Sequence, residues 1–422
     1  MTTQVKMHRG WQLRLYLSAS HLFPLFARRL LRRRLARGKE HPDRWREKLA
    51  QNLAPRPKGT LIWLHAVGLG EVLSLRGLIA RMAARDPTAH FLVTSSTLAS
   101  AEVLSKNMPP RTLHQFLPLD APAYHRAFLD HFRPDLALWA EQDLWPGFVS
   151  GLAKRAIPQA IIAARMNANS FEKHHKAAGL YRDLYGAMQL ITAQDEHTIA
   201  HLVALGAGDQ VALTGSLKPT APPLGHDAQA LAALQVALAG RTVWAVAPSH
   251  APDEAIALEA HAKLRATHPD ALLIIAPRHP DRAADIATQI PAKFRSRDDI
   301  PTRDDPIWIC DSFGELGLIY RLASLVLIGG TFGDTEGHSP WEAAALGCAV
   351  AHGPRVANFA ADYALLDQAG GARQIKDAAD LLALLHDSGD MVACAADTIA
   401  GLDQKADQLA ADLLRLAKVD HD

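Results

Sequence analysis

The chain has 422 residues, with 45 Lys or Arg against 44 Asp or Glu. That length implies two domains rather than one, and the near-balanced charge names no partner, so nucleic acid is not expected. The three cysteines, Cys310, Cys348 and Cys394, lie far apart and form no CxxC pair. This indicates neither a zinc site nor a disulfide framework, and a reducing, cytosolic compartment fits.

The apolar stretch from Trp11 to Phe26 is interrupted by Arg14, His21 and Pro24. It falls short of the roughly 20 apolar residues that a membrane-spanning helix needs. A basic run follows, with Arg28, Arg29, Arg32, Arg33, Arg34, Arg37 and Lys39. Two readings stand side by side. One is an amphipathic helix lying on an anionic membrane surface. The other is a helix packed on its domain with a solvated basic end.

From residue 58 onward, short aliphatic runs alternate with helical stretches. Strands are expected at 60–67, 89–97, 134–141, 159–166 and 190–195, and in the second half at 241–249, 271–278, 307–312, 325–331 and 348–353. Most are continuously apolar, as strands buried on both faces should be. The expected fold is α/β, with two doubly wound, Rossmann-like domains facing each other across a cleft. The Pro- and Gly-rich stretch 215–227 reads as the break between them. The expected division is a helical, membrane-associating segment over 1–50, an acceptor-binding domain over 51–218 and a nucleotide-sugar-binding domain over 219–422, whose last helix can return to the N-terminal domain.

Ligands of open α/β sheets bind beyond the carboxyl ends of the strands. In the first half those positions hold Glu71 in "HAVGLGE" (65–71), Glu141 and Asp143 in "EQDLWP" (141–146), and Arg165. In the second half they hold "PSH" (248–250), Arg278 and His279 in "PRHPDR" (277–282), Gly314 and Glu315 in "DSFGEL" (311–316), and His338, Ser339 and Glu342 in the Gly-rich loop 329–347. Asp311 or Ser312 is expected to cap one helix and Ser339 another, with Pro340 in its first turn. Cations and free helix starts suit a phosphorylated nucleotide, and carboxylates suit a hydroxyl that must lose a proton. Plainer roles remain open: a tight turn for the glycines, complementing the helix dipole for Glu71, a surface ion pair for Arg278. No Walker A sequence is present, and the histidines lack metal-ligand spacing, so no metal and no cofactor are expected.

These motifs, in this order, resemble those of the 3-deoxy-D-manno-octulosonic acid (Kdo) transferases of lipopolysaccharide assembly, which are GT-B glycosyltransferases. The family's "HAxSxGE" is similar to 65–71, its "ETELWP" to 141–146, its "NAR" to "AAR" (163–165) and its "GNLK" to "GSLK" (215–218). Its "PRHPER" is similar to 277–282, its "MGEL" to "FGEL" (313–316), and its "GGHNPLEPAALG" to "EGHSPWEAAALG" (336–347). The resemblance implies inverting transfer of Kdo from CMP-Kdo to a lipid A precursor, lipid IV(A), at the cytoplasmic face of the inner membrane, with peripheral or N-terminal attachment. It implies Glu71 as general base, kept ionised by the helix start, with Glu141 in support. Arg278 would bind the CMP phosphate, aided by the helix start at Gly314. Glu342 would reach the ribose with His338 beside it, and His279, Glu315, Ser339, Arg165 and Lys218 would complete substrate binding. Ser339 and Trp341 stand where the family has Asn and Leu. They keep two alternatives in view: a GT-B enzyme for another nucleotide-activated sugar, or a catalytically silent nucleotide-binding protein.

Overall fold

The computed structural model describes residues 7–418 apart from 107, 209, 210 and 289, and of Leu69 the backbone alone. The chain forms two compact units. The first runs to Ala221 and takes in the chain again from Leu402; the second is Pro222–Gly401.

The first unit is built on seven parallel strands: β1 (Leu61–His65), β2 (His90–Ser95), β3 (Thr112–Phe116), β4 (Leu136–Ala140), β5 (Gln159–Ala164), β6 (Leu190–Ala193) and β7 (Val211–Leu213). Their order is β3-β2-β1-β4-β5-β6-β7, and Trp63 in β1 is in register with Leu92 and Ala137. Alternate residues of β1 feed two different cores, as the period of a strand requires. Trp63 joins Phe128, Trp139 and Phe148 on one face, its ring 5.1 Å from Phe128 and 5.2 Å from Trp139. Removing such a buried indole costs about 3–5 kcal/mol. Ile62 and Leu64 point to the other face, where Leu409, Ala410 and Leu413 cover them. Those three belong to the helix Met391–Ala417, and Arg81 ties this part of it down through Asp403 and Asp407.

The second unit repeats the plan with β8 (Val243–Ser249), β9 (Leu272–Pro277), β10 (Lys293–Phe294), β11 (Ile307–Ile309), β12 (Leu325–Leu327), β13 (Ala349–His352) and β14 (Ala372–Gln374). The order is β10-β11-β9-β8-β12-β13-β14, again parallel throughout. All ten expected strands are present. The four that were not expected, β3, β7, β10 and β14, are the four sheet edges. β7, β10 and β14 have three residues or fewer, and "TLHQF" in β3 is interrupted by His114 and Gln115, so none offers the longer apolar run of a central strand.

Near the N-terminus, helices span Trp11–Ser20 and Phe23–Ala36. Each is docked by a narrow stripe: Leu13 enters the first core, and Ala27 and Leu31 pack on Leu49. Buried polar links add to this. Tyr16 donates to Asp120 at 2.9 Å, and the Leu180 N–H donates to Gln12 at 2.8 Å. Arg34 and Lys48 both donate to the buried Glu40. The opposite stripe is open, with Trp11, Leu25 and Phe26 each about two-thirds exposed or more (72%, 72% and 66%). Among the described residues, no helix is long and apolar enough to cross a membrane.

Candidate active site

In the first unit, functional side chains gather where β1, β4, β5 and β6 end. After β1 the chain turns through Ala66, Val67 and Gly68 into the helix Leu69–Arg85, with Gly68 as its N-cap and Glu71 in its first turn. The carboxylate of Glu71 folds back over this turn and accepts from the Val67 N–H at 3.0 Å. The lack of a side chain at Gly68 makes that possible, because a Cβ there would lie 2.9 Å from Glu71 Oε1. Gly70 is different: a Cβ there would meet nothing within 4 Å.

A buried chain of hydrogen bonds underpins the turn. Trp63 Nε1 donates to Thr94 Oγ1 at 2.9 Å, His65 Nδ1 lies 2.8 Å from that oxygen, and His65 Nε2 lies 3.0 Å from Asp143 Oδ2. Trp145 Nε1 donates to the same carboxylate oxygen at 2.9 Å. A carboxylate only accepts, so the network fits a His65 with its proton on Nε2 and Nδ1 accepting from Thr94. Burial alone would raise the Asp143 pKa, but the hydrogen bonds from His65 and Trp145 carry it below its ordinary value. His65, Asp143 and Trp145 lie at motif positions and Thr94 ends an expected strand, but their bonding was not legible beforehand, since Thr94 reaches His65 only through strand pairing.

Glu141 ends β4 in the left-handed backbone region, at φ 56°. A non-glycine residue there stores strain, which is common at functional sites. Its N–H donates to Ile162 at 3.0 Å, next to an irregularity in the pairing of β5 with β6. The Glu141 pKa is raised by burial and then by the charge of Glu71, against the opposing influence of Lys218, Arg165 and Gln194. The structure thus brings Glu71, Glu141, Arg165 and Lys218 into one neighbourhood and adds Gln194. A cavity of about 10 Å³ beside Glu141 is lined by Ser74, Gln194, Ser216 and Lys218 among others, which is about the size of one water.

In the second unit, β8, β9 and β12 end together. His250 caps the helix Ala251–Arg265, its side chain accepting from the Asp253 N–H while Asp253 returns a bond to the His250 N–H. Since one ring nitrogen of His250 accepts, the other carries the proton. That is Nε2, which lies 2.9 Å from His338 Nε2; His338 accepts there. Burial, helped by His250 and Arg278, pushes the His338 pKa down to about 4, and burial likewise lowers that of His250. The pair is therefore neutral near pH 7. His279 lies 6.4 Å from the His250 ring. Arg282 is occupied, donating at 2.7 Å to Glu254, which also accepts from Ser249. Arg278 is exposed, and among the described residues no carboxylate pairs with it.

The Gly-rich loop after β12 is held by one residue that the sequence reading passed over. Asp253, fully buried, accepts from Gly330 N at 2.7 Å, Thr331 N at 3.2 Å and Phe332 N at 3.2 Å. An acid three residues after the helix cap, with Pro in the first turn, was the available signal. Two expected caps are corrected. Pro340, not Ser339, precedes the four-residue helix Trp341–Ala344, because the short loop return leaves Ser339 outside the helix. Glu315, not Asp311 or Ser312, precedes the helix Leu316–Leu322. Asp311 instead accepts from Ser296 N at 2.9 Å and Ser296 Oγ at 2.6 Å, while Glu315 sits 3.5 Å from Arg295 and Gly314 takes φ 89°. Glu342 stays open to solvent, although the protein packed about its carboxyl raises its pKa. Trp341 is buried and donates to Asp362 at 2.8 Å.

Comparison with known proteins agrees with this arrangement. Residues 43–221 match the family model described as 3-deoxy-D-manno-octulosonic-acid transferase. The 3-deoxy-D-manno-octulosonic acid transferase of Rickettsia bellii is 32% identical over 358 residues, covering 84% of this chain and 85% of that protein. Among solved structures, a glycosyltransferase from Rickettsia africae aligns over 86% of this chain and 100% of its own with TM-score 0.55 and 12% identity. A UDP-GlcNAc 2-epimerase from Neisseria meningitidis aligns over 85% and 100% with TM-score 0.54 and 14% identity. The last two likenesses show the GT-B fold alone. The chain belongs to the 3-deoxy-D-manno-octulosonic acid transferase family of GT-B glycosyltransferases.

Proposed function

We propose that this enzyme transfers Kdo from CMP-Kdo to a hydroxyl of a lipid A precursor such as lipid IV(A), in lipopolysaccharide synthesis, with inversion at the anomeric carbon. Glu71 is the general base. It removes the acceptor proton as the oxygen bonds to the anomeric carbon, and the bond from that carbon to the phosphate oxygen breaks with its electrons leaving on CMP. The observation that carries this reading is the pair Glu71 and Glu141. Burial, and then the neighbouring charge of Glu71, raise the Glu141 pKa, which sets the two carboxylates apart: Glu71 accepts the proton while Glu141 orients. Holding Glu71 through the Val67 N–H fixes its geometry, and a positioned base contributes roughly 10²–10⁴-fold in rate.

The second unit supports the donor half. Arg278 is the cation for the departing phosphate, and the turn at Gly314 is proposed to add a backbone N–H donor. The neutral His338 and the accessible Glu342 suit the sugar hydroxyls of a nucleoside, with His279, Glu315 and Ser339 flanking. Lys218 and Arg165, close to Glu141, suit an anionic acceptor or the Kdo carboxylate. The exposed apolar residues of the first two helices, followed by arginines, support contact with an anionic membrane surface, and hence work at the inner face of the inner membrane. The test is incubation of the purified enzyme with CMP-Kdo and a lipid A precursor, reading the product by mass. A gain of one or more Kdo units is expected. No product with CMP-Kdo, but product with a UDP-sugar, would overturn the donor assignment.

A further inference from the structure

A second cavity lies wholly in the first unit, apart from the carboxylates. It has a volume of about 560 Å³ and is lined by Arg9, His21, His125, Arg126, Lys154 and Arg155, with Leu17 and Ser150. No acid is in the lining. Arg155 is held by Asp130, but among the described residues no carboxylate pairs with Arg9, Arg126 or Lys154. Gathering such cations without counter-charge is unfavourable unless an anion completes them.

Two further observations point to a ligand. The buried Nδ1 of His125 has no hydrogen-bond partner, and it lies 3.4 Å from where a Cβ on Gly151 would be, so it faces the glycine wall of this cavity. Burial first, then the charges of Arg155, Arg126 and His21, push the His125 pKa down to about 4. Besides Asp130 on Arg155, Asp120 approaches from behind the wall, accepting from the N–H of the lining residue Gly147 at 2.7 Å. Burial raises its pKa to about 6.

The helix Trp11–Ser20, which lends Leu17 to the cavity wall, also carries exposed apolar side chains. Leu17 and His21 project from one flank of the helix Trp11–Ser20 and the residue after it. Trp11, Leu15 and Leu22 occupy the outward side, 72%, 61% and 58% exposed. A group that is anionic at one end and apolar at the other matches both features.

We propose that this cavity binds the phosphoglycerol headgroup of an anionic phospholipid, whose acyl chains run along the Trp11–Leu15–Leu22 ridge. Guanidinium forks suit phosphate oxygens in pairs, and the volume exceeds what a bare phosphate fills. The proposal rests on the membrane-contact reading above and names the lipid that the contact selects.

The test uses the full chain and a short-chain phosphatidylglycerol below its micelle concentration, titrated calorimetrically, with inorganic phosphate as a parallel titrant. Saturable binding of one lipid per chain is expected. Arg126→Gln with Lys154→Gln should weaken it by about tenfold or more, whereas Arg28→Gln with Arg32→Gln, an equal charge change on the neighbouring helix, should leave it unaltered. Equal melting temperatures verify that both variants fold. Absence of saturable binding, equal loss in both variants, or inorganic phosphate binding as tightly as the lipid would each overturn the proposal. Sedimentation with phosphatidylcholine vesicles, with and without phosphatidylglycerol, reads membrane contact separately. A chain that binds the soluble lipid but neither vesicle keeps the cavity assignment and removes the membrane reading.

Discussion

His65 Nε2 lies 3.0 Å from Asp143 Oδ2, a bond that joins the end of β1 to the loop after β4. The same imidazole reaches Thr94 on β2, so one side chain couples three strand ends beneath the turn that carries Glu71. Asp143→Ala leaves a buried N–H without an acceptor, and stability should fall by about 1–3 kcal/mol. Turnover should fall with it, because the turn loses its support. Asp143→Asn keeps an acceptor oxygen and should recover most of both. Melting temperature and kcat on the three proteins check this; an Asn variant no better than Ala would show that charge rather than the bond is what matters.

Gly68 and Gly70 look alike in the motif but differ in the structure. Gly68→Ala would push against the Glu71 carboxylate, and a displacement on the order of 1 Å at the reacting group costs roughly 10²-fold in kcat. Gly70→Ala meets nothing, should retain turnover, and should gain about 0.5–1 kcal/mol from the helix preference of alanine. Paired kcat and thermal measurements separate the two glycines.

Glu141 binds its proton more tightly when folded than when unfolded. Its contribution to stability is therefore complete below the unfolded glutamate pKa, about 4.3, and is lost as pH rises through the higher folded value. Glu141→Gln removes this dependence. The melting temperature of the Gln variant relative to wild type should climb as pH rises from about 4 to neutrality. A constant difference across that range would contradict the raised pKa.

Trp341 stands where the family pattern has Leu, beside the loop assigned to the donor. Its indole is buried and donates to Asp362. Trp341→Leu should cost about 1–3 kcal/mol by removing the buried indole donor to Asp362, with the dissociation constant for CMP unchanged. A changed nucleotide affinity would restore Trp341 as a specificity residue.

The central strands and the site positions were readable because buried parallel strands are unbroken apolar runs, and because ligands bind where such runs end. "LIWLH", "LALWA" and "LLIIAP" carry both signals at once. The edges were not, because β10 and β14 are short and β3 carries His114 and Gln115 within it. At the site, Glu71, Glu141, Arg278 and His338 were visible as chemistry-bearing residues after strands. The roles of Thr94, a hydroxyl at a strand end, and of Asp253 were not, since they depend on bonds to segments 29 and 77 or more residues away. Ser339 was misjudged as a cap because cap propensity is local, whereas the geometry of the loop Gly330–His338 is imposed by Asp253.

The account assigns proton removal to Glu71 and nucleotide binding to Arg278, and one paired experiment tests that division. Glu71→Gln and Arg278→Gln are each assayed for Kdo transfer and for CMP-Kdo binding by calorimetry. Glu71→Gln should lose roughly 10²–10⁴-fold in kcat while its CMP-Kdo affinity stays that of wild type; Arg278→Gln should bind CMP-Kdo about tenfold or more weakly, losing a charge-assisted contact. A Glu71→Gln enzyme that turns over near the wild-type rate would contradict the account.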